Sequence, residues 1–367
     1  MLKKLFFCCA FFAIIGIMCV SISALSVSAE HAVLIEAQSG DVIYSKCENT
    51  RAPMASTTKI MTAIIVIENA ELDEIVKIPL EAVGVEGSSI YLKEGEELSV
   101  RELLYALLLS SANDASVALA IHTSGDVDTF ADMMNEKARE LGLINTHFTN
   151  PHGLDNEEHY TTAYELAMIA RYAMQNPIFR EIVSTTKEII PSSENSVRVL
   201  INHNKLLNRY EGTIGIKTGF TRKSGRCLVS CAERDGAILI AVTLNAPTDW
   251  HDHKQMLDFG FGEYESITLA NVGDYTIALN CINGQSDEVL CSNLSSLSIT
   301  LKRGQAENIN AVLETKRFLF APVNQGDSVG QISYYLDDEK IASVELYTIE
   351  SVKNINYKKS IFERIFG

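Results

Sequence analysis

Near residue 265 the texture of this chain changes, and that change limits what it can fold into. Before it, apolar residues recur with helical spacing in long runs, over 101–122, 127–141, 162–175 and 253–259, which predicts a domain rich in helices. After it come short stretches of alternating polarity, YTIALN, SLSITL, INAVLET and ASVELYTI, parted by Gly, Asn and Asp. That is the pattern of short strands joined by turns. The 367 residues are too many for one ordinary core. The expected organisation is an α/β (α+β) domain over 30–265, with an antiparallel sheet and a helical cluster, followed by a small all-β domain over 266–350.

Residues 1–29 are set aside as an export signal. Lys3 and Lys4 form a positive start, Leu5 to Ala24 is almost unbroken apolar, and Val27-Ser28-Ala29 places small residues at a cleavage position. Glu30 is then the expected mature start, the alternative being an uncleaved membrane anchor. Cys19 follows the large Met18, which argues against a lipoprotein site. Losing Lys3 and Lys4 takes the formal charge from -16 to -18, and so acidic a protein is not expected to bind nucleic acid.

Of the eight cysteines, Cys47, Cys227, Cys231, Cys281 and Cys291 lie beyond the signal. An odd, scattered set is no disulfide framework. Cys281 and Cys291 are placed to bridge within the C-terminal part, while Cys227 and Cys231, four apart in a strand, share one face; the set reads mainly as small core residues. No Cys/His spacing suits a metal, and neither metal nor cofactor is expected.

The chemistry is concentrated in three strings. In PMASTTKIMTAIIVI, Lys59 heads a run in which Thr62 is the one polar residue from Ile60 to Ile67; a helix so apolar is buried. Ser56 lies three residues before Lys59, within reach on the same helical face, so a nucleophile stands beside a base. The base role requires a neutral amine, and burial, the positive end of the helix and a second cation such as Lys217 all lower a lysine's pKa. Fifty-five residues on, a polar break from Ser110 to Asp114 between two apolar helical stretches presents Ser111 and Asn113 to a cleft. Ser111 is placed to relay a proton to a leaving amine, and Asn113 to hold a substrate amide and orient Lys59. Asp114 reads as a helix cap. A further 106 residues on, Lys217-Thr218-Gly219 begins an antiparallel hairpin turning at Glu233 to Gly236. A substrate backbone fits beside the strand at Gly219, with Lys217 and Thr218 facing its carboxylate. The backbone N–H groups of Ser56 and Phe220 are the candidate oxyanion hole.

Each string alone is weak, but S-x-x-K, S-x-N and K-T-G in this order are a strong signature of penicillin-binding proteins and class A β-lactamases. The chain resembles the low-molecular-mass penicillin-binding proteins that act as serine-type D-alanyl-D-alanine carboxypeptidases. The likeness runs through HAVLIEAQSGDVIYSKCENTRAPMASTTKIMTA, GSSIYLKEGEELSVRELLYALLLSSANDASVALA, FTNPHGLD, HYTT and GIKTGFT, and on into FAPVNQGDSVGQISYYLDDEKIASVEL. It implies a penicillin-binding/β-lactamase-like transpeptidase fold with a C-terminal β-domain, and an enzyme that removes the terminal D-alanine of peptidoglycan stem peptides and binds β-lactams covalently. By that resemblance Ser56 is the acyl-enzyme nucleophile, Lys59 the base, Ser111 and Asn113 the second element, and Lys217, Thr218 and Gly219 the substrate strand. Two departures stand out: Phe220 occupies a position that is His in some relatives, and APTDWHDHKQM lacks the arginine that often helps hold the terminal carboxylate. His251, His253 or Arg222 are its possible substitutes.

The alternatives are a β-lactamase and a non-catalytic penicillin- or wall-binding module. A class A β-lactamase needs a glutamate for deacylation, a role with nothing to recommend Glu157 or Glu165, and it ends soon after the helix following K-T-G; intact Ser56 and Lys59 weigh against a silent module. His251 and His253 read as exposed residues at a helix start, and Asn150 to Asp155, which contains His152, as a tight loop bordering the cleft. Finally, YKKSIFERIFG sets Tyr357, Ile361, Phe362, Ile365 and Phe366 on one helical face. Within a tail over 351–367, it is too short to span a bilayer and is expected to lie on the membrane surface or dock on its own β-domain. A location on the outer face of the cytoplasmic membrane follows.

Overall fold

The computed structural model describes residues 25–192 and 196–355; the expected signal up to residue 24 and the expected amphipathic tail from residue 356 lie outside the described residues. Along the first domain run β1 (His31–Glu36), β2 (Val42–Lys46), α1 (Lys59–Asn69), β3 (Ile75–Lys77), β4 (Glu97–Ser99), α2 (Val100–Leu109), α3 (Asn113–Ser124), α4 (Val127–Glu140), α5 (Ala163–Met174) and α6 (Pro177–Ser184). A hairpin of β5 (Lys187–Ser192) and β6 (Ser196–Ile201) follows, then β7 (Thr213–Thr221), β8 (Gly225–Arg234), β9 (Ala237–Leu244) and α7 (Asp249–Glu263). Five strands form one antiparallel sheet in the order β2-β1-β9-β8-β7, which leaves β7 at an edge.

The sheet is apolar on both faces because helices cover both. Val33, Ile35, Val229, Cys231, Ile240 and Val242 point into the large core shared with α1, α2 and α5. Their neighbours Leu34, Leu228, Leu239 and Ala241 point the other way, onto Met256 and Leu257 of α7. This period-2 alternation turns one strand sequence into two cores. The helices start where their caps dictate: Ser99 and Glu102 form a capping box on α2, and Asn176 caps α6 with Pro177 in the first turn. The helical stretch expected at 253–259 is longer, and α6 was not foreseen because eight residues carry too little periodicity to declare a helix.

In the second domain, β10 (Tyr264–Ala270), β11 (Ile277–Ile282), β12 (Glu288–Asn293), β13 (Leu297–Lys302), β14 (Ile309–Thr315), β15 (Phe318–Phe320), β16 (Ser328–Leu336) and β17 (Glu339–Thr348) are all short strands. Six of them form a sheet ordered β14-β16-β17-β12-β11-β15, and β10 pairs with β13. Their core is Leu279, Val289, Ile332, Tyr334, Val344 and Leu346 with the thiols of Cys281 and Cys291. The expected bridge between those cysteines is not formed: the register sets Cys291 opposite Ile277, four residues away from Cys281. Cys227 and Cys231 are buried core thiols, whereas Cys47 is exposed. Among the described residues no helix is long and apolar enough to cross a membrane.

Candidate active site

The turn that carries Ser56 is wired by its own threonines. Ala55–Thr58 is a short 3-10 turn leading into α1, with Ala55 in the left-handed region at φ 47°. The Thr57 hydroxyl donates to Met54 O at 2.6 Å and that of Thr58 to Ala55 O at 2.8 Å, while the ring of His159 meets the Thr58 hydroxyl at 2.8 Å. Side-chain bonds thus hold a backbone conformation that alanine disfavours. Gly153 closes over the turn: a Cβ there would fall 1.9 Å from Ala55 O, and its φ is +87°. Only glycine meets both demands.

Lys59 is fully buried, and among the described residues no carboxylate pairs with it. Its Nζ donates to Ser56 Oγ at 3.1 Å, to Asn113 Oδ1 at 2.6 Å and to His152 O at 2.6 Å. Burial, reinforced by the charge of Lys217, holds its pKa well below the usual lysine value, with Asp114 pulling weakly the other way. Lys217 is buried too, donates to Thr218 O at 2.9 Å, and is pushed down to about 7 by burial. The two buried cations repel each other, which favours the loss of one proton from the pair, and Lys59 is the one placed beside Ser56 Oγ.

Ser111 is buried with φ 59° in the break between α2 and α3. The break is shorter than expected, since Asn113 and Asp114 already belong to α3. Asp114 is not the cap. It lies buried in the first turn, where it accepts from Ile90 N, Leu92 N and the Ser89 hydroxyl, pinning the loop beside the cleft. Asn113 Nδ2 donates to Glu86 O at 2.5 Å, so both ends of its amide are engaged, and the bond to Lys59 fits the orienting part of its expected role.

A cleft of about 310 Å³ runs along the β7 edge. Of the expected residues, Ser56, Ser111, Thr218, Gly219 and Phe220 line it; Lys59, Lys217 and Asn113 stand behind its wall. Gly219 has a further purpose, since a Cβ there would come within 3.1 Å of Ser56 N and Met54 O. Sequence reasoning missed several contributors, among them Ser88, Lys205 and Asp249 on the cleft wall. His152, read as part of a bordering loop, gives its carbonyl to Lys59. His203 lines the cleft, as do Arg226 and Trp250. The signal for Arg226 was present: a tight turn after Thr221 places it opposite Phe220 on β8. Its guanidinium pairs with Asp249 at 2.9 Å and lies near the Trp250 ring, and Ala246 N donates to its carbonyl.

Of the three proposed substitutes for the missing arginine, none lines this cleft. His253 is not exposed but fully buried, bridging the hydroxyls of Ser230 at 2.5 Å and Thr243 at 2.9 Å. Its imidazole therefore ties β8 to β9, and burial pushes its pKa down to about 3. Arg222 and His251 are exposed. Glu165 binds Asn145 N and the Thr146 hydroxyl, and Glu157 pairs with Lys223 at the surface. Among the described residues no cluster of acids, His and Cys is arranged to hold a metal.

This fold and constellation are those of a serine hydrolase of the penicillin-binding class, and comparison with known proteins gives the family. Residues 18–248 match the D-alanyl-D-alanine carboxypeptidase family, and 264–354 match the C-terminal domain of penicillin-binding protein 5. D-alanyl-D-alanine carboxypeptidase DacF of Bacillus subtilis (strain 168) is 33% identical over 91% of this chain and 88% of its own length. Penicillin binding protein 5 from Haemophilus influenzae shares the fold with TM-score 0.69 at 28% identity, over 90% of this chain and 98% of that one. A peptidoglycan synthesis regulatory factor (PBP3) from Streptococcus pneumoniae gives TM-score 0.77 at 26% identity, over 89% and 100%. The chain belongs to the D-alanyl-D-alanine carboxypeptidase family and is a serine-type carboxypeptidase.

Proposed function

We propose that the protein removes the terminal D-alanine from peptidoglycan stem peptides through an acyl-enzyme on Ser56, and that β-lactams acylate the same serine. The observation that carries this reading is the fully buried Lys59 amine 3.1 Å from Ser56 Oγ. Neutral Lys59 takes the hydroxyl proton as Oγ attacks the penultimate D-alanine carbonyl. The N–H groups of Ser56 and Phe220 receive the oxyanion. Ser111 passes a proton to the departing amine, the C–N bond breaks, and water then cleaves the ester. Asn113 orients Lys59, and reaches the substrate amide only by releasing Glu86 O.

The substrate lies along β7 with its terminal carboxylate toward Lys217 and Thr218. Arg226 supports the same end, taking over from the opposite strand the role of the arginine absent after β9. Asp249 and Trp250 fix its guanidinium at the lip of the cleft. Arg226→Ala is expected to cut kcat/KM about 10- to 100-fold on carboxylate-ended peptides, the effect of losing one charged bond, while leaving acylation by a neutral ester unchanged. Equal losses on both substrates would remove Arg226 from recognition. The deciding experiment for the activity measures D-alanine release from a stem peptide beside penicillin turnover: peptide release with slow penicillin turnover is expected, and rapid penicillin hydrolysis alone would mean a β-lactamase.

We further infer attachment to the outer face of the cytoplasmic membrane through the amphipathic tail. Removing residues 356–367 should release the enzyme to the soluble fraction with small-peptide activity intact; a full-length protein already soluble there would refute attachment.

A further inference from the structure

The last five residues of the stretch expected to be lost with the signal, 25–29, join the folded domain. Val27 and Ala29 are buried in the core between the sheet and α7, and Leu25 packs against it. Ser28 N donates to Asp252 Oδ1 at 3.0 Å, and the Ser28 hydroxyl and Ala29 N donate to Oδ2 at 2.7 and 3.1 Å. Thr248 N donates in turn to the Ser28 hydroxyl at 3.1 Å, and Lys46 Nζ to Val27 O at 3.0 Å. Asp252 is 1% exposed. Without residues 28 and 29 this buried carboxylate would keep, of these partners, only the Thr248 hydroxyl at 3.2 Å. A buried charge stripped of its donors is costly, and the seam where β1 enters the sheet would open.

Export signals are cut after a small residue with a small or branched apolar residue two positions before it. Ile22-Ser23-Ala24 meets that rule as Val27-Ser28-Ala29 does, and it sits directly after the apolar run. We propose that the signal is removed after Ala24, so that the mature chain begins at Leu25 and residues 25–29 act as an N-terminal strap clamping α7 to the sheet. Signal removal precedes folding, so burial does not itself protect Ala29. What favours Ala24 is that the other cut discards part of the structure.

The first test is the N-terminal sequence and intact mass of the protein exported with its own signal. Leu25 as first residue is expected; a start at Glu30, or a chain that keeps its signal, overturns the assignment. The second compares mature chains made to begin at Leu25 and at Glu30. The shorter should melt about 4–10 °C lower, the size of shift that a few lost buried interactions produce in a domain of this length, or fail to fold. Ser28→Ala in the longer chain should give a smaller fall in the same direction. Equal melting of the two starts would show that the strap holds nothing.

Discussion

Burial, with no carboxylate beside it among the described residues, shifts Lys59 toward the neutral form that a base needs. Lys59 is wired to Ser56, Asn113 and the His152 carbonyl; in the neutral amine the two N–H groups serve Asn113 Oδ1 and His152 O, and the lone pair faces the Ser56 hydroxyl to take its proton. Replacing Ser56 with Ala should abolish both penicillin labelling and D-alanine release, and persistent labelling would mean another nucleophile. Lys59→Arg should slow acylation by about 10²- to 10⁴-fold, the usual worth of a general base, because a guanidinium does not give up its proton. Near-normal acylation of that variant would exclude the base role. The second lysine sets the other limb of the pH profile. Acylation by a carboxylate-bearing substrate should rise with pH as Lys59 loses its proton, then decline above about 7 as Lys217 discharges. Lys217→Arg should flatten that decline, and an unchanged alkaline limb would assign it to some other group.

Elements decide whether those residues meet. The Ala55–Thr58 turn, the loop containing Gly153, the α2–α3 break and strand β7 converge on one cleft. Gly153→Ala brings a Cβ into Ala55 O and forces an unfavourable φ. It should lower stability by about 1–3 kcal/mol, the cost of a residue held in a disfavoured conformation, and slow penicillin acylation, as measured by urea denaturation and stopped-flow labelling. A variant with wild-type values in both would show that the loop can retreat. The helical runs, the β-rich tail and the three strings were legible because periodicity and spacing are local properties. What was not legible is long-range: His253 looked like a surface residue because nothing nearby announces the hydroxyls of Ser230 and Thr243 that bury it. Asp114 looked like a cap because its partners, Ile90 and Leu92, lie more than twenty residues back. Arg226 lies on β8 opposite Phe220, not after β9 where relatives often carry their arginine.

At the scale of the whole molecule, the domains meet where β9 approaches β10 and β13 and where Arg303 binds Phe261 O and Gly262 O at the end of α7. Every residue named in the chemistry comes from the first domain. A chain ending at Glu263 is therefore expected to fold and release D-alanine from small peptides, and loss of activity without loss of folding would show that the β-domain shapes the cleft. Burial holds His152 and His253 at pKa about 3 and His159 at about 4, and lowers His203 as well. The unfolded chain binds protons at these groups below about 6.5 and the folded one does not, so stability should fall as pH drops from 6.5 towards 4, by up to about 1.4 kcal/mol per unit for each. A denaturation midpoint flat across that window would contradict their burial. The open edge of β7 has a consequence of another kind. Exposed strand edges invite pairing with copies of the same protein, but here the turns at Ala55–Thr58 and Lys205–Asn208 both pack against the strand. With those turns packed on it, the edge borders the cleft that Ser56, Ser111 and Gly219 line, so a visitor that pairs with β7 is expected to be a single extended peptide rather than the rim of another folded sheet.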